Sequence, residues 1–365
     1  MVSDSPSSSD APPAKSWPAG GLEVVATCPV CGEGEREFAH AGVRDRVFAC
    51  APGEWNLYRC LACGSGFLDP RPTVATIGLA YASYFTHASA EGVGQPPRSA
   101  WRRYRVAQRN AYLNLNYGYR LTPAAARIPR WLSTERRQRW EKHCGYLRFA
   151  GPGARLLDIG CGNGRFLLQM RALGWDVSGV EPDAKSAAAA VAAGLKVRVG
   201  PLQTGLLPDA HFDAVTLNHV IEHLHDPIAV LRMALRSLKP GGALSVATPN
   251  FEAAGHRLFG PDWFPLDPPR HLVLFTPASL RRVLVRAGFE PEGTLRLRLD
   301  ARGIFTHCVR LAAGGSHPSS KASLVSTSWL RTRWLARKAD RQTRENPGLA
   351  EELVLLARRP AATAA

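Results

Sequence analysis

The feature that most constrains the fold is a regular alternation of short apolar runs and helix-like stretches from residue 155 onward. RLLDI, WDVSGVE and LKVRV have the character of strands, and GRFLLQMRALG and DAKSAAAAVAAG between them have the character of helices. Such alternation is typical of a parallel sheet, because each helix returns the chain to the same sheet edge. Further strands are expected at 212–217 and 243–247, with helices at about 227–238 and 276–287. The sequence therefore predicts an α/β fold.

A glycine-rich loop, DIGCGNG at 158–164, follows the first of these strands and precedes a helix. Its glycines allow a sharp turn and a close approach to a ligand at the free N–H groups of the helix start. A dinucleotide fingerprint GxGxxG would need glycine at 165, where the chain has Arg165, so a nicotinamide cofactor fits poorly. Glu181 ends the second strand, 23 residues after Asp158, and a carboxylate there can accept both ribose hydroxyls. The expected ligand is an unphosphorylated ribose, as in an adenosine.

Two Cys-x-x-Cys pairs lie near the start of the chain: Cys28 with Cys31, and Cys60 with Cys63, each followed by glycine. The spacing predicts two knuckles that complete a tetrahedral zinc site, and four thiolates leave no open position, so the metal would be structural. The 28 residues between the pairs exceed the roughly 15–20 of the usual template. Disulfide pairing is the alternative, but nothing indicates an oxidising compartment.

The chain has 365 residues and a net charge of +16, with ordinary fractions of hydrophobic (45%) and charged (21%) residues, so it is not disordered throughout. The positive charge is concentrated at 98–148 and 281–359 and is carried mainly by arginine. Nucleic acid, anionic lipid and a sugar-type or phosphate-bearing substrate are possible partners, and an arginine-rich solvated surface is the alternative. The sequence shows no transmembrane run and no signal peptide, so a cytoplasmic location is expected. The oligomeric state is left open.

Composition divides the chain into six segments. The alternating core is preceded by a Ser/Pro-rich start and a basic, aromatic stretch, and it is followed by an insertion containing TSWLRTRWLARKADR. That stretch can form an amphipathic arm or a solvent-facing helix. The expected segments are a disordered tail at 1–20, a small zinc-ribbon domain at 21–72, a helical linker or acceptor-site region at 73–148, a core at 149–298, an insertion at 299–350, and a last strand and tail at 351–365.

Four motifs in order, LLDIGCGNG, GVEPD, LPDAHFDAVTLNHVIEHLHDP and LKPGGALSVATPN, resemble those of class I S-adenosylmethionine-dependent methyltransferases. With the N-terminal cysteine pairs and the later GHRLFGPDWFPLDPPRHLVLFTPASL, the chain is similar to zinc-ribbon methyltransferases of the ubiquinone-biosynthesis and sugar-modifying type. The resemblance implies a Rossmann-like seven-stranded sheet whose last strand is 352–358. It also implies S-adenosylmethionine as cofactor beside the structural zinc.

The resemblance also assigns roles to residues of this chain. Asp158 would lie near the amino group of the cofactor, and Glu181 would hold the ribose. Many relatives carry an acid after the third strand that reaches the adenine, and this chain has VGPLQ there. The implied cofactor-binding residues are Asp158, Gly160, Cys161, Gly162, Gly164, Glu181, Pro182 (or Asp183) beside the adenine, and Asn218 and His219 beside the sulfonium.

A cluster of histidines follows the fourth strand: His219, Glu222 and His223 would share one face of a helix. The string also fits the HxxEH protease signature, but it follows a strand and ends at a proline, which disfavours that interpretation. A histidine near neutral pKa is a suitable base for methyl transfer to a hydroxyl. The expected catalytic residues are His223, His271 and Glu222. RNA-end methyltransferases use a divalent metal at a similar motif, and this chain has His219 in place of their first glutamate.

The sequence thus favours methyl transfer to a small-molecule or glycan-precursor acceptor. An RNA methyltransferase is the first alternative, supported by the basic charge. A non-catalytic nucleotide-binding or interaction module is the second.

Overall fold

The structure is a computed structural model that describes residues 16–81, 99–129, 132–200, 207–293, 295–296, 299, 301–314 and 326–361. Within these ranges the chain forms one seven-stranded sheet, one four-stranded sheet and one two-stranded sheet. None of the helices in these ranges is both long enough and apolar enough to cross a bilayer. The strands in chain order are β1 (Leu22–Glu23), β2 (Arg36–Val43), β3 (Trp55–Cys60), β4 (Gly66–Leu68), β5 (Arg71–Pro72), β6 (Arg155–Ile159), β7 (Asp176–Glu181), β8 (Lys196–Val199), β9 (Phe212–Asn218), β10 (Leu238–Pro249), β11 (Val273–Leu274), β12 (Glu290–Pro291) and β13 (Glu352–Arg358).

Nine α-helices accompany these strands in the described residues, and most begin at a clear capping signal. The Asp183 carboxylate accepts two backbone N–H groups at the start of α4, and Thr276 forms a capping box with Ser279 at α7. The helices are α1 (Ala100–Tyr117), α2 (Thr134–His143), α3 (Arg165–Ala172), α4 (Ala184–Ala192), α5 (Pro227–Ser237), α6 (Ala254–Phe259), α7 (Pro277–Arg286), α8 (Ala301–Ala312) and α9 (Ser326–Glu345).

The seven-stranded sheet has the order β12-β13-β10-β9-β6-β7-β8. The strands from β10 to β8 are parallel, so the carboxyl ends of β6, β7, β9 and β10 lie along one edge. Strand β13 runs antiparallel to β10 and pairs Glu352 with Pro249, which places the start of β13 at this same edge. The alternation of strands and helices therefore predicted the α/β fold, and the family resemblance implied the seven-stranded Rossmann-like sheet with its final strand at 352–358; both are confirmed.

The cysteine-rich segment is joined to the core rather than separate from it. Strand β11, which follows the histidine-bearing loop, adds to the four-stranded sheet by pairing Val273 with Phe67 of β4. Trp55 and Phe67 belong to the same buried cluster as Leu272 and the sheet interior. The 21–72 segment thus contributes to the main hydrophobic core and does not form a core of its own.

A buried arginine also joins the two parts. The Arg270 side chain is fully buried, and its guanidinium bonds the carboxylates of Asp45 and Asp267 and the carbonyl of Ala80. These contacts fix the loop that carries His271, because that residue follows Arg270 directly. Arg270 therefore holds together three parts of the chain that are far apart in sequence: the segments around Asp45, Ala80 and Asp267.

The structure describes parts of the tail, the 73–148 region and the 299–350 insertion. Residues 1–15 of the expected tail lie outside the described residues, whereas Trp17 packs edge-on against Trp55 at 5.2 Å between ring centroids. The expected helical region at 73–148 contains α1 and α2. The 299–350 insertion contains α8 and α9, which pack against each other through Ala301, Phe305, Ala336 and Ala339.

Candidate functional site

The glycine loop between β6 and α3 has a left-handed backbone at three positions. Gly160, Gly162 and Gly164 have φ values of +72°, +53° and +77°, which side chains other than glycine adopt at a cost. A Cβ on Gly160 would lie 2.5 Å from Val220 Cγ2, and one on Gly164 would lie 2.4 Å from Leu195 Cδ1. A Cβ on Gly162 would meet nothing within 4 Å. Two glycines are thus required by packing, and the third faces open space above the sheet edge.

Glu181 holds this loop at the carboxyl end of β7. Its Oε2 accepts the N–H of Gly162 at 2.7 Å, and its Oε1 accepts the N–H of Asp183 at 2.9 Å. The side chain is buried, and burial raises the pKa of the carboxyl group. Each carboxylate oxygen has further acceptor capacity, so the group can receive two more hydrogen bonds from a ligand. Pro182, next along the chain, is exposed.

Asp158 lies in the neighbouring strand, β6. Its Oδ1 accepts the hydroxyl of Thr216 at 2.6 Å and the side-chain amide of Asn218 at 3.4 Å. Burial raises the pKa of Asp158 to about 7, and the hydrogen bonds only partly oppose this effect. The Cys161 side chain packs into the core over Gly179, where a Cβ would lie 2.5 Å from the sulfur. Cys161 can therefore contact a ligand only through its backbone.

The histidine cluster does not lie on a regular helix, which corrects the sequence prediction. His219 has a φ of +54°, and only Ile221–His223 form a short 3-10 turn before α5. The turn is too short to align three side chains at helical spacing, because Asp226 and Pro227 start a new helix at once. His219 Nδ1 still lies 3.4 Å from Glu222 Oε1.

His219 lies between two carboxylates and is 49% exposed, with its Nε2 3.5 Å from Glu352 Oε1. Burial would lower the pKa of His219, but the carboxylates of Glu352 and Glu222 outweigh this effect and raise it to about 10. His219 therefore carries a positive charge at neutral pH. Sequence reasoning missed Glu352, although an antiparallel last strand brings its first residue to this edge.

His223 and His271 contact each other, with ring centroids 4.7 Å apart. His223 Nδ1 lies 2.9 Å from the carbonyl of Arg270, and His271 Nδ1 lies 2.7 Å from the carbonyl of Pro265. A carbonyl only accepts hydrogen bonds, so Nδ1 carries a proton in both rings. Burial lowers the pKa of His223 to about 4, so its ring is neutral at pH 7.

Glu222 is fully buried against this pair. Its Oε2 accepts the hydroxyl of Thr248 at 2.9 Å. Its Oε1 forms an ion pair with His219 at 3.4 Å and no hydrogen bond within the described residues. Burial alone would raise the pKa of Glu222, but the adjacent positive His219 outweighs it and lowers the pKa to about 2. One ligand atom from each of Glu222, His223 and His271 lies within 4.8 Å of the others.

His219, His223 and His271 line a cavity of about 400 Å³, and Glu222 lies buried behind them. Phe48 comes from the cysteine-rich segment, Lys142 from α2, and Gly303, Ile304 and His307 from α8, so the segments outside the sheet help to enclose it. Sequence reasoning assigned no role to Phe48, His307, Asp267 or Glu351, since nothing in their local sequence indicates that these loops converge. The carboxylates and histidines that line the cavity are His219, His223, Asp267, His271, His307, Glu351 and Glu352.

The four N-terminal cysteines converge as the spacing predicted. Cys28 Sγ lies 3.6 Å from Cys63 Sγ, Cys31 Sγ lies 3.4 Å from Cys60 Sγ, and none of the four forms a disulfide. A tetrahedral zinc with bonds of about 2.3 Å would separate its sulfurs by about 3.8 Å. Gly32 and Gly64 each donate an N–H to the carbonyl of the first cysteine of their pair, which closes both turns.

Residues 133–292 match a family model described as a methyltransferase domain. The match covers six of the seven strands of the large sheet and every candidate residue from Asp158 to His271. It does not include the four cysteines, α8, α9 or β13.

Curated relatives named ubiquinone biosynthesis O-methyltransferase are similar to part of this chain. The protein from Xanthomonas campestris pv. campestris (strain B100) is 35% identical over 127 residues, which are 30% of this chain and 49% of that protein. The one from Sinorhizobium medicae (strain WSM419) is 31% identical over 150 residues, which are 38% of this chain and 60% of that protein. The chain thus spans about half of the length of the Xanthomonas relative.

An S-adenosylmethionine-dependent methyltransferase from Mesorhizobium loti is among the similar solved structures. It is 20% identical, with a TM-score of 0.41, and the match covers 61% of this chain and 98% of that structure. By sequence, residues 133–292 of this chain match a methyltransferase domain.

Proposed function

We propose that the chain is an S-adenosylmethionine-dependent methyltransferase that acts on a small-molecule hydroxyl or a glycan precursor. The observation that carries the proposal is the position of Glu181: a buried carboxylate at the end of β7, held by two backbone N–H groups beside open space over Gly162. A ribose can place both hydroxyls on such a carboxylate. The family match over 133–292 supports the same activity.

The residues at the sheet edge suit this cofactor. S-adenosylmethionine supplies an electrophilic methyl group on a sulfonium. Glu181 would accept the two ribose hydroxyls, and Asp158, next to Thr216 and Asn218, would hold the amino group. Gly160, Gly162 and Gly164 let the loop backbone approach the amino-acid part, and exposed Pro182 would border the adenine. Asn218 donates to Asp158, and the next residue, His219, lines the cavity, so these two residues would lie beside the sulfonium.

The acceptor would lie in the cavity beside the histidine pair. Neutral His223 donates Nδ1–H to a carbonyl, so its Nε2 can take the proton of an acceptor hydroxyl. His271, the second catalytic candidate, lines the cavity beside it. Buried, ionised Glu222 stabilises the positive ring that results. The volume of about 400 Å³ fits a small molecule, and the relatives' name, ubiquinone biosynthesis O-methyltransferase, agrees with oxygen as the methylated atom.

Incubation with S-adenosylmethionine and a panel of small phenols and nucleotide-sugars tests this activity. We expect a methylated product and formation of S-adenosylhomocysteine, with the rate greatly reduced in His271→Ala and Glu181→Ala. His256→Ala is the matched control, because His256 pairs with His40 outside the cavity. Methylation of single-stranded RNA but not of the panel would instead favour the RNA alternative.

A divalent metal at Glu222, His223 and His271 is a second candidate for the activation of the acceptor. The specific observation is the Oε1 of fully buried Glu222, which forms no hydrogen bond within the described residues and has the His219 ring at 3.4 Å. It lies beside two imidazoles that each donate Nδ1–H to a carbonyl. Two histidines and one carboxylate are a common ligand set for divalent transition metals. Calorimetric titration with Mg²⁺, Mn²⁺ and Zn²⁺ should show one site that His271→Ala removes and His256→Ala retains. Full methylation in excess chelator would contradict this role.

We also propose that Cys28, Cys31, Cys60 and Cys63 bind one structural zinc. Four sulfurs at near-tetrahedral separations support it, and the four-stranded sheet next to them depends on the same turns. Metal analysis should show that Cys60→Ser loses about one zinc per chain while Cys50→Ser does not. Equal zinc content in both variants would contradict the assignment.

A further inference from the structure

Helix α9 presents a solvent-facing strip of large apolar side chains. Leu330 and Trp334, each 63% exposed, form this apolar strip. Trp329 lies about 100° around the helix from Leu330 and is 46% exposed beside the strip. Leu330, Trp334, Arg337 and Arg341 follow the spacing i, i+4, i+7 and i+11, so they share one face of the helix. Exposed side chains of this size at regular spacing are uncommon on a solvated helix.

The opposite face of α9 fixes this orientation. Ala336 and Ala339 are buried against Ala301 and Phe305 of α8. Arg344 near the end of the helix pairs with Glu135 at the start of α2. The helix is therefore anchored through small residues, and its apolar strip is held outward.

Cations surround the strip. The helix carries six Lys or Arg residues against two acids, Asp340 and Glu345. Glu345 pairs with Arg341, and it lies at the end of the helix away from Trp334. The Arg333 guanidinium lies 5.3 Å from the ring centroid of Trp329, and the Lys338 ammonium lies 5.7 Å from that of Trp334.

We propose that this face of α9 docks on the surface of a membrane that contains anionic phospholipids. Tryptophan and leucine enter the boundary between headgroups and acyl chains, and flanking arginine and lysine contact the lipid phosphates. RNA would also attract the cations, and its bases could stack on the tryptophans. RNA binding does not explain why Leu330, which lies between the two tryptophans in the sequence, is exposed. The charge of the helix and its apolar strip together fit a lipid surface.

Sedimentation with vesicles tests the proposal on the full chain. We expect binding to vesicles of phosphatidylcholine mixed with phosphatidylglycerol, weaker binding in high salt, and little binding to phosphatidylcholine alone. Tryptophan fluorescence should shift to shorter wavelength on binding. The double variant Leu330→Ser with Trp334→Ser should bind at least about tenfold more weakly, because it removes most of the inserted apolar area.

Leu115→Ser is the matched control, because Leu115 is 76% exposed on α1, away from this strip. It should bind the mixed vesicles as the wild type does. Both altered side chains of the double variant are exposed, so unchanged circular dichroism is expected. Wild-type affinity in the double variant would overturn the proposal. So would equal binding to both vesicle types, or binding to single-stranded RNA without binding to vesicles.

Discussion

The raised pKa of Asp158 predicts that cofactor affinity depends on pH. With a pKa of about 7 in the free protein, about half of the Asp158 side chains are protonated at pH 7 and about nine-tenths at pH 6. A cationic amino group binds the ionised carboxylate, so binding must expel that proton. The affinity for S-adenosylmethionine should therefore fall about tenfold from pH 8 to pH 6, which is about 1.4 kcal/mol. At pH 7, binding should release about half a proton.

Calorimetry in buffers with different ionisation enthalpies measures both quantities. Asp158→Asn keeps an acceptor for Thr216 but cannot ionise, so its affinity should be lower at pH 8 and should change much less with pH. The histidines nearby do not account for the slope, because the pKa of His219 is raised to about 10 and that of His223 is lowered to about 4. Glu181 is the other titrating group that faces Asp158. The pH profile of Glu181→Gln measures how much of the pH dependence of binding comes from Glu181. A flat wild-type profile, or an Asp158→Asn profile as steep as the wild type, would refute the reasoning.

Two stability predictions follow from packing. Gly160→Ala should lower the free energy of unfolding by about 2–4 kcal/mol, because its Cβ would lie 2.5 Å from Val220 at a left-handed φ. Gly162→Ala has open space around the new Cβ and should cost only about 1–2 kcal/mol. Equal losses for the two variants in urea unfolding would contradict the steric argument. Arg270→Met should lower the free energy of unfolding by about 3–5 kcal/mol, because it leaves Asp45 and Asp267 buried without their cation. A loss below about 1 kcal/mol in the same assay would show that solvent reaches these carboxylates.

The large sheet was predictable because its signals are local. Each strand from β6 to β10 is a short apolar run, and the glycine loop and the acid at 181 follow strand ends directly. Parallel topology then places those ends together without any knowledge of side-chain packing. The last strand at 352–358 came from the family resemblance, and the structure contains it.

The cavity was less predictable because it depends on long-range contacts. Nothing near residue 273 indicates that β11 joins the cysteine-rich sheet, and nothing near residue 45 indicates an ion pair with Arg270. The prediction of a helix at His219 was wrong. Between the end of β9 and the start of α5 there is room for only a short turn, and residue spacing alone does not show this. Glu352 was missed because its role depends on antiparallel register.

Calorimetric titration of the purified chain with S-adenosylmethionine and, separately, with NADH, at two salt concentrations tests whether the sheet edge binds the proposed cofactor. We predict micromolar or tighter binding of S-adenosylmethionine, no binding of NADH, and loss of the former in Glu181→Ala with the fold retained. Binding of NADH instead, or wild-type affinity for S-adenosylmethionine in Glu181→Ala, would contradict the proposed site.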